Sequence, residues 1–227
     1  MMCYSIMIEQ DLKSLEFNFS ASINHGAFDR YQTLCQKKPN KLRPIDTNPR
    51  IYPNYFAPAI VTNKGERCIL PMRYRLRPNG SKEEVPSKFN MFNARLDALE
   101  TRNSWRPLFM RLHGIIVIKS FFEWVIDQNG KKTVVEFFSP SHQFQPVPIL
   151  YDTWMNPEKT EAFGSFAVIT TEAPKEIAAL GHSRCPIILS KRHIDPWLHP
   201  DKYNKAEIIK ALQEPETINF QWRHAVP

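Results

Sequence analysis

The sequence predicts an α+β fold with mainly antiparallel pairing, and three observations carry that expectation. Strand-like runs dominate and follow one another through hairpin-type turns, with few long helical crossovers between them. The helix-like segments are short and interspersed. Nineteen prolines against seven glycines call for rigid, extended connections and exclude a long helical bundle, because proline removes a backbone donor and clashes inside a helix. A single domain over residues 1–227 is expected from the length. The 15 Phe, 7 Tyr and 5 Trp are enough for a sizeable core.

"DLKSL" and "AFDRYQTLCQKK" read as short helices. Residues 38–60 hold five prolines, yet Ile51, Tyr52, Tyr55, Phe56 and Ile60 supply apolar anchors. An extended segment hugging the surface is therefore expected, not a solvated linker. "AIVTN" and "RCILPMRYRLRP" read as strands joined by a turn at Lys64-Gly65. "ALETRNSWRPLFMRLHG" is amphipathic at near-helical spacing, with Pro107 set to kink it or split it into separate turns. "GIIVIKSFFEWVID" reads as a buried strand, and the Asn129-Gly130 pair behind it signals a hairpin. "TVVEFFS", "FQPVPILYD" and "SFAVITTEA" continue the meander. "PKEIAALG" is a short helix with Pro at its start and Gly at its end. "PIILS" reads as a strand, "IDPWL" and "KYNKAEIIKALQ" as helices, and "TINFQW" as a last strand.

Composition narrows the function. The net charge is +7 and the pI about 9.2, a balance that suits a polyanionic partner. Cys3, Cys35, Cys68 and Cys185 form no CxxC pair, and no His/Cys cluster has zinc-ligand spacing. No metal and no cofactor are expected. Neither a secretory signal nor an 18-residue apolar run is present, so reduced thiols in the cytoplasm and no membrane partner are expected.

Several places carry candidate chemistry. Cys3 stands near the start, behind two methionines. Asn93 and Arg95 sit two apart in "FNARLDALE". Glu123 lies among Phe121, Phe122, Trp124 and Val125. A carboxylate among such neighbours has its ionised form disfavoured, which suits a group that gives and takes protons near neutral pH. His182 and Arg184 precede a buried strand in "GHSRCPIILS". Alternation along "RYRLR" puts Arg73, Arg75 and Arg77 on one face, either as solvated charges on an edge strand or as a ridge for phosphates. A histidine at a loop–strand junction is more often structural than catalytic, and Asn93 can equally be a turn former.

The order of these pieces resembles the SOS-response-associated peptidase family, the SRAP domain. Cys3 matches its cysteine after the start methionine, "NARLD" its NAR(A/x)E segment, "FFEW" its F(Y/F)EW strand and "HSRCP" its H-x-R-x-P segment. "RIYPNYFAP" resembles its R-Y-N-x-A-P stretch, "PMRYRLRP" its M-x-W-G-L-x-P stretch, and "FAVITTEA" its apolar strand ending in threonine. The matches run from residue 3 to about 190, leaving 191–227 as C-terminal helices and a strand. Tyr4-Ser5 stand where the family has Gly-Arg, and Tyr74-Arg75 where it has Trp-Gly. These departures resemble a divergent phage- or prophage-like branch.

The resemblance implies a barrel-like twisted sheet surrounded by short helices. It also implies a sensor of abasic sites that cross-links to single-stranded DNA through an N-terminal cysteine. Cys3 would be the nucleophile, Asn93 would bond the cysteine end, Glu123 would shuttle protons, and His182 would act as acid or steady a phosphate. Arg95 and Arg184 would hold phosphates, with Arg73, Arg75, Arg77, Tyr74 and Thr171 as further DNA contacts. Met2-Cys3 is a bond that methionine aminopeptidase accepts, and self-removal of the residues before Cys3 is the family's peptidase reaction. A monomer in the cytoplasm, at the nucleoid when bound to DNA, is expected. Two rivals use the same residues: a thiol peptidase built on Cys3, His182 and Glu123, and a non-catalytic basic DNA-binding module.

Overall fold

The computed structural model describes residues 5–38, 42, 48–126 and 130–225. In chain order the elements are β1 (Ser5–Ile8), α1 (Leu12–Phe19), β2 (Ser22–Ile23), α2 (His25–Lys37), β3 (Arg50–Ile51), β4 (Phe56–Asn63), β5 (Glu66–Tyr74), β6 (Asn93–Arg95), β7 (His113–Ile126), β8 (Lys132–Phe138), β9 (Gln145–Met155), β10 (Ala162–Glu172), α3 (Lys175–Ala178), β11 (Arg184–Pro186), α4 (Ile194–Leu198), α5 (Lys205–Gln213) and β12 (Gln221–His224).

Five strands close on themselves. β10 pairs β5, β5 pairs β4, β4 pairs β7, β7 pairs β9, and β9 returns to β10. All of these contacts are antiparallel except the short parallel one between β5 and β10. The fold is thus α+β with a barrel-like sheet, outer strands and short helices. Side-chain alternation divides the apolar residues between two cores. Ala57, Met72, Ile116, Ile149 and Phe166, one from each barrel strand, belong to the inner cluster. Ile60, Ile69, Ile115, Leu150 and Ala167 face outward to a second cluster that α1, α4 and α5 cover with Leu15, Trp197 and Ile208. Both faces of the barrel strands are buried, so they read as continuous apolar runs. At the β4–β7 crossing the backbones come so close that a Cβ on Gly114 would lie 2.9 Å from Val61 Cγ1.

β7 is the organising strand. Its first half, to Ile118, belongs to the barrel, paired with β9. Its second half, from Ser120, leaves the barrel and pairs with β8 on one edge and β1 on the other. β12 extends β8, and β3 extends β1.

Several local expectations change in detail. Lys64 and Gly65 take φ of 51° and 83°, the two positive values of a tight hairpin turn. Asn129 lies outside the described residues, while Gly130 has φ 75°. Ile51, Phe56 and Ile60 are buried anchors, although most of 39–47 lies outside the described residues. Residues 98–112 form successive single turns instead of a helix, with Trp105, Leu108 and Phe109 buried. Pro107 supplies the reason, since it cannot donate within a continuous helix. The strand expected at "PIILS" is shifted upstream to Arg184–Pro186, and Ile187, Ile188 and Leu189 are buried beyond it. Among the described residues no helix is long and apolar enough to cross a membrane.

Candidate active site

Glu123 lies on the outer half of β7 with 2% of its surface exposed. Alternation puts it on the same face as Phe121 and Val125, both in the inner cluster. Phe122 and Trp124 point to the opposite face, and Trp124 is 39% exposed. The aromatic surroundings read from the sequence are thus corrected: of the aromatics flanking Glu123 in the chain, Phe121 alone shares its face. Ser5 of β1 pairs directly with Phe122, so the described chain begins beside Glu123. Cys3 and Tyr4 lie outside the described residues.

His182 enters from the loop between α3 and β11. Its Nε2 lies 2.7 Å from the Trp124 carbonyl, and its Nδ1 lies 3.6 Å from Glu123 Oε2. A carbonyl only accepts, so Nε2 carries the proton in this bond. Nδ1 then faces a carboxylate oxygen. Two lone pairs would repel there, and a single proton between them relieves the conflict. The arrangement can hold one mobile proton. Burial lowers the His182 pKa below its usual value, and the hydrogen bond to Trp124 partly opposes that shift. The 3.6 Å gap is long for a hydrogen bond, as unliganded catalytic pairs often are.

Asn93 opens β6, is 1% exposed, and pairs in register with Val168 of β10. Asn90 Oδ1 accepts from the backbone N–H groups of Phe92 and Asn93. This side-chain turn fixes how the chain enters β6.

The basic residues fall into two groups. Arg95 is exposed and forms a two-point contact with the Asp97 carboxylate. Arg184 donates to the Thr170 carbonyl at 2.8 Å and approaches the same carboxylate at 3.6 Å. Asp97 is held below its usual pKa by the Arg95 hydrogen bond. Asp97, Arg184 and Thr171 line one cleft of about 480 Å³.

The second group departs from the expected ridge. β5 ends at Tyr74, and Arg75 takes φ 113°, which breaks the alternation. Arg73 is buried in a two-point bond to Glu84, at 2.7 and 3.0 Å. Arg77 reaches the same carboxylate at 3.2 Å. Arg75 donates to the Val85 carbonyl. All three clamp the loop after β5 instead of lining an exposed face. Tyr74 is fully buried, stacked on Phe166 at 5.3 Å and edge-on to Phe92, so it presents no face to a base.

Sequence reasoning missed Arg50. Its Nε donates to Ser5 Oγ at 3.1 Å, and its guanidinium lies 3.7 Å from the Phe122 ring centre. It stands in "RIYPNYFAP", where the signal was present but was not carried to the residue. Asp97 and Glu84 were also missed. Asp97 sits inside the NAR segment, whereas nothing in the sequence marks Glu84.

The pattern of the family "SOS response associated peptidase (SRAP)" matches residues 2–226. The chain belongs to the SRAP family. SRAP relatives include "Abasic site processing protein HMCES" of Gallus gallus, 24% identical over 179 residues that cover 70% of this chain and 53% of that protein. "Abasic site processing protein YoqW" of Bacillus subtilis (strain 168) is 27% identical over 156 residues, covering 69% and 68%. A protein of that name from Bacillus phage SPbeta matches equally well, at 27% identity. The chain spans about half the length of the vertebrate relatives. A solved structure from Bacteroides thetaiotaomicron has a TM-score of 0.72 at 20% identity, covering 92% of this chain and 86% of that one. A second, from Bordetella bronchiseptica, also has 0.72, at 16% identity over 99% and 100%. Arg75 stands where the motif resemblance read from the sequence places a glycine. Its φ of 113° is a conformation that glycine adopts freely and arginine does not.

Proposed function

We propose that this protein captures abasic sites in single-stranded DNA by bonding Cys3, as the N-terminal residue, to the aldehyde of the opened sugar. The Glu123–His182 pair carries the reading. It is a buried carboxylate and imidazole set for one mobile proton, beside the strand that leads back to Cys3. Cys3 stands two positions before Ser5, a tether of at most about 7 Å.

The chemistry balances in two steps. The α-amine nitrogen adds to the aldehyde carbon, and loss of water leaves an imine. The thiol sulfur then adds to the imine carbon while its proton passes to nitrogen, closing a thiazolidine. Both steps need a proton delivered and recovered, which is the role assigned to Glu123 with His182. A free α-amine is partly neutral at cellular pH and therefore nucleophilic. Asn93 bonds the cysteine end. Arg95, Arg184 and Thr171, gathered around Asp97, hold the strand's phosphates. The names of the relatives support the substrate, and the +7 net charge supports a polyanion. Removal of the residues before Cys3, by aminopeptidase or by the thiol itself, precedes capture. The same setting is cytoplasmic, where Cys3 stays reduced.

The test is a denaturing gel with the chain processed to begin at Cys3. A shifted band is expected with abasic single-stranded DNA and none with intact DNA. Cys3→Ser should lose the stable product, and Glu123→Gln should slow its formation by about 10²–10⁴-fold while still binding DNA. Absence of any band from the processed wild type would refute covalent capture. Acetylating the N-terminus separates this reading from a thiol peptidase, since only thiazolidine formation needs the amine.

A further inference from the structure

The loop that joins β5 to β6 runs through "PNGSKEEVPSKFN" and is attached to the barrel largely by three arginines. Arg73 and Arg77 share Glu84. Arg77 also reaches Ser81 Oγ and the Lys82 carbonyl, each at 3.3 Å, and Arg75 holds the Val85 carbonyl. Trp154 Nε1 donates to the Ser81 carbonyl at 2.8 Å, and the Asn79 N–H donates to Asp152.

The balance of charge at this point is unusual. Two guanidiniums, with side chains 4% and 11% exposed, face one carboxylate that is itself 42% exposed. One Glu84 oxygen serves both. Glu161 lines the same cleft but is engaged by Lys38. Five basic and three acidic side chains line this cleft of about 490 Å³. Arg73 Nε is buried without a hydrogen-bond partner, so a donor remains to be met. Both guanidiniums are pre-set by aromatic rings, Arg77 at 3.6 Å from the Trp154 centre and Arg73 at 4.7 Å from Phe163. Planar donors stacked on rings, with an unmet N–H and a surplus positive charge, form a site suited to tetrahedral oxyanions. A carboxylate offers two oxygens and one charge there. A phosphodiester carries the same single charge, but its tetrahedral oxygens can meet donors that lie outside the plane of a carboxylate.

We infer that Arg73 and Arg77 form a phosphate-binding site that Glu84 occupies as an internal stand-in, so that an incoming phosphate displaces Glu84 and frees the loop. The loop's far end carries Asn93 and Arg95 into β6, so occupancy of this cleft bears on the placement of two residues of the proposed active site. The inference leans on the DNA reading only for the source of the phosphate, which is a strand's phosphodiester. No covalent bond is involved, so its failure would leave covalent capture standing, and the reverse holds too.

The test measures non-covalent binding of three probes to wild type and Glu84→Gln: inorganic phosphate, thymidine 5′-monophosphate and an undamaged single-stranded oligonucleotide. Glu84→Gln keeps the shape but removes the internal anion. About tenfold tighter oligonucleotide binding is expected, a gain of roughly 1.4 kcal/mol. The slope of log affinity against log salt should steepen by about 0.7 for the added strand phosphate. Tightening for inorganic phosphate and the nucleotide, with no change for the oligonucleotide, would keep the anion site but overturn the strand as its source. No tightening for any probe in a folded variant overturns the site. Should Glu84→Gln not fold, tryptic cleavage after Lys82 in the wild type decides. Saturating oligonucleotide should hasten it severalfold by releasing the loop, and an unchanged rate refutes the displacement.

Discussion

Two buried histidines invite comparison. His113 and His182 each lend one ring nitrogen to a tryptophan carbonyl: Nδ1 to Trp197 at 2.9 Å in one case, Nε2 to Trp124 at 2.7 Å in the other. The remaining nitrogen separates them. His113 Nε2 accepts from the Met110 backbone N–H at 3.0 Å. One nitrogen donates and the other accepts, so the neutral ring is satisfied and a second proton has no place. The ring also stacks on Trp197, with centres 3.7 Å apart and planes 7° apart. Burial accordingly drives its pKa down to about 4. His182 Nδ1 meets a carboxylate instead. The same residue type, buried and bonded to the same kind of acceptor, is structural where its last partner is a donor. Where that partner is the Glu123 carboxylate, the proposed function gives the ring a proton to exchange.

The largest expected effect sharpens this contrast. His182→Gln retains an N–H for the Trp124 carbonyl but cannot exchange a proton with Glu123. Single-turnover formation of the abasic-site adduct should slow by about 10²–10⁴-fold, with a thermal midpoint near that of the wild type. His113→Gln should leave the rate per folded molecule unaltered. Equal rates for His182→Gln and wild type would make His182 a second structural histidine and dissolve the comparison.

Legibility in the sequence followed the same divide between what a residue is and what its last neighbour is. Glu123 and His182, which the structure brings together, each stand out locally in the sequence, one as a charge in an apolar strand and the other at a loop–strand junction. The barrel strands were legible as long apolar runs, since burial on both faces leaves few polar positions. The placement of Arg73, Arg75 and Arg77 differs from the exposed ridge that alternation suggests. Their alternation is real, but β5 stops at Tyr74 and the positive φ of Arg75 turns the chain. The carboxylate that claims two of them arrives from a loop with no pattern of its own. His113 could not be told from a ligand or a catalyst by sequence, because what settles its role is a backbone N–H three residues upstream. Residues 98–112 show the limit of periodicity, where helical spacing of apolar groups also fits successive turns once a proline interrupts the ladder.

The next effect bears on His113 alone. His113→Ala removes a ring stacked on Trp197 and leaves both the Met110 N–H and the Trp197 carbonyl without partners in a dry core. Cavity and desolvation costs together should amount to about 4 kcal/mol of stability. Urea denaturation, with midpoint and slope both fitted, measures it. A loss below about 1 kcal/mol would show that the ring's two bonds and its stacking contribute little, and that side of the comparison would fail.

The smallest effect is the acid dependence, and its sign follows from the lowered pKa values. An unfolded histidine takes a proton near pH 6.5, whereas folded His113 resists until about pH 4. Between those values the unfolded state binds more protons, so stability rises with pH. The contribution of the neutral ring is therefore complete above about pH 6.5 and is lost progressively as the pH falls toward 4. Its total is on the order of 3 kcal/mol. The His182 pKa is also lowered by burial, so it acts in the same direction and should add a smaller share. Glu84, Asp97 and Asp195, all lowered by their basic or hydrogen-bonding partners, contribute stability that begins to fall only at the unfolded carboxyl values, at the acid end of the His113 window and beyond. His113→Gln should then flatten the stability curve between pH 6.5 and 4 while leaving the steeper fall at lower pH in place. His182→Gln should barely alter it. Unfolding free energies at half-unit steps of pH for the three proteins measure this, and a His113→Gln curve parallel to wild type would show that His113 does not stay neutral through folding, removing the physical basis of the contrast.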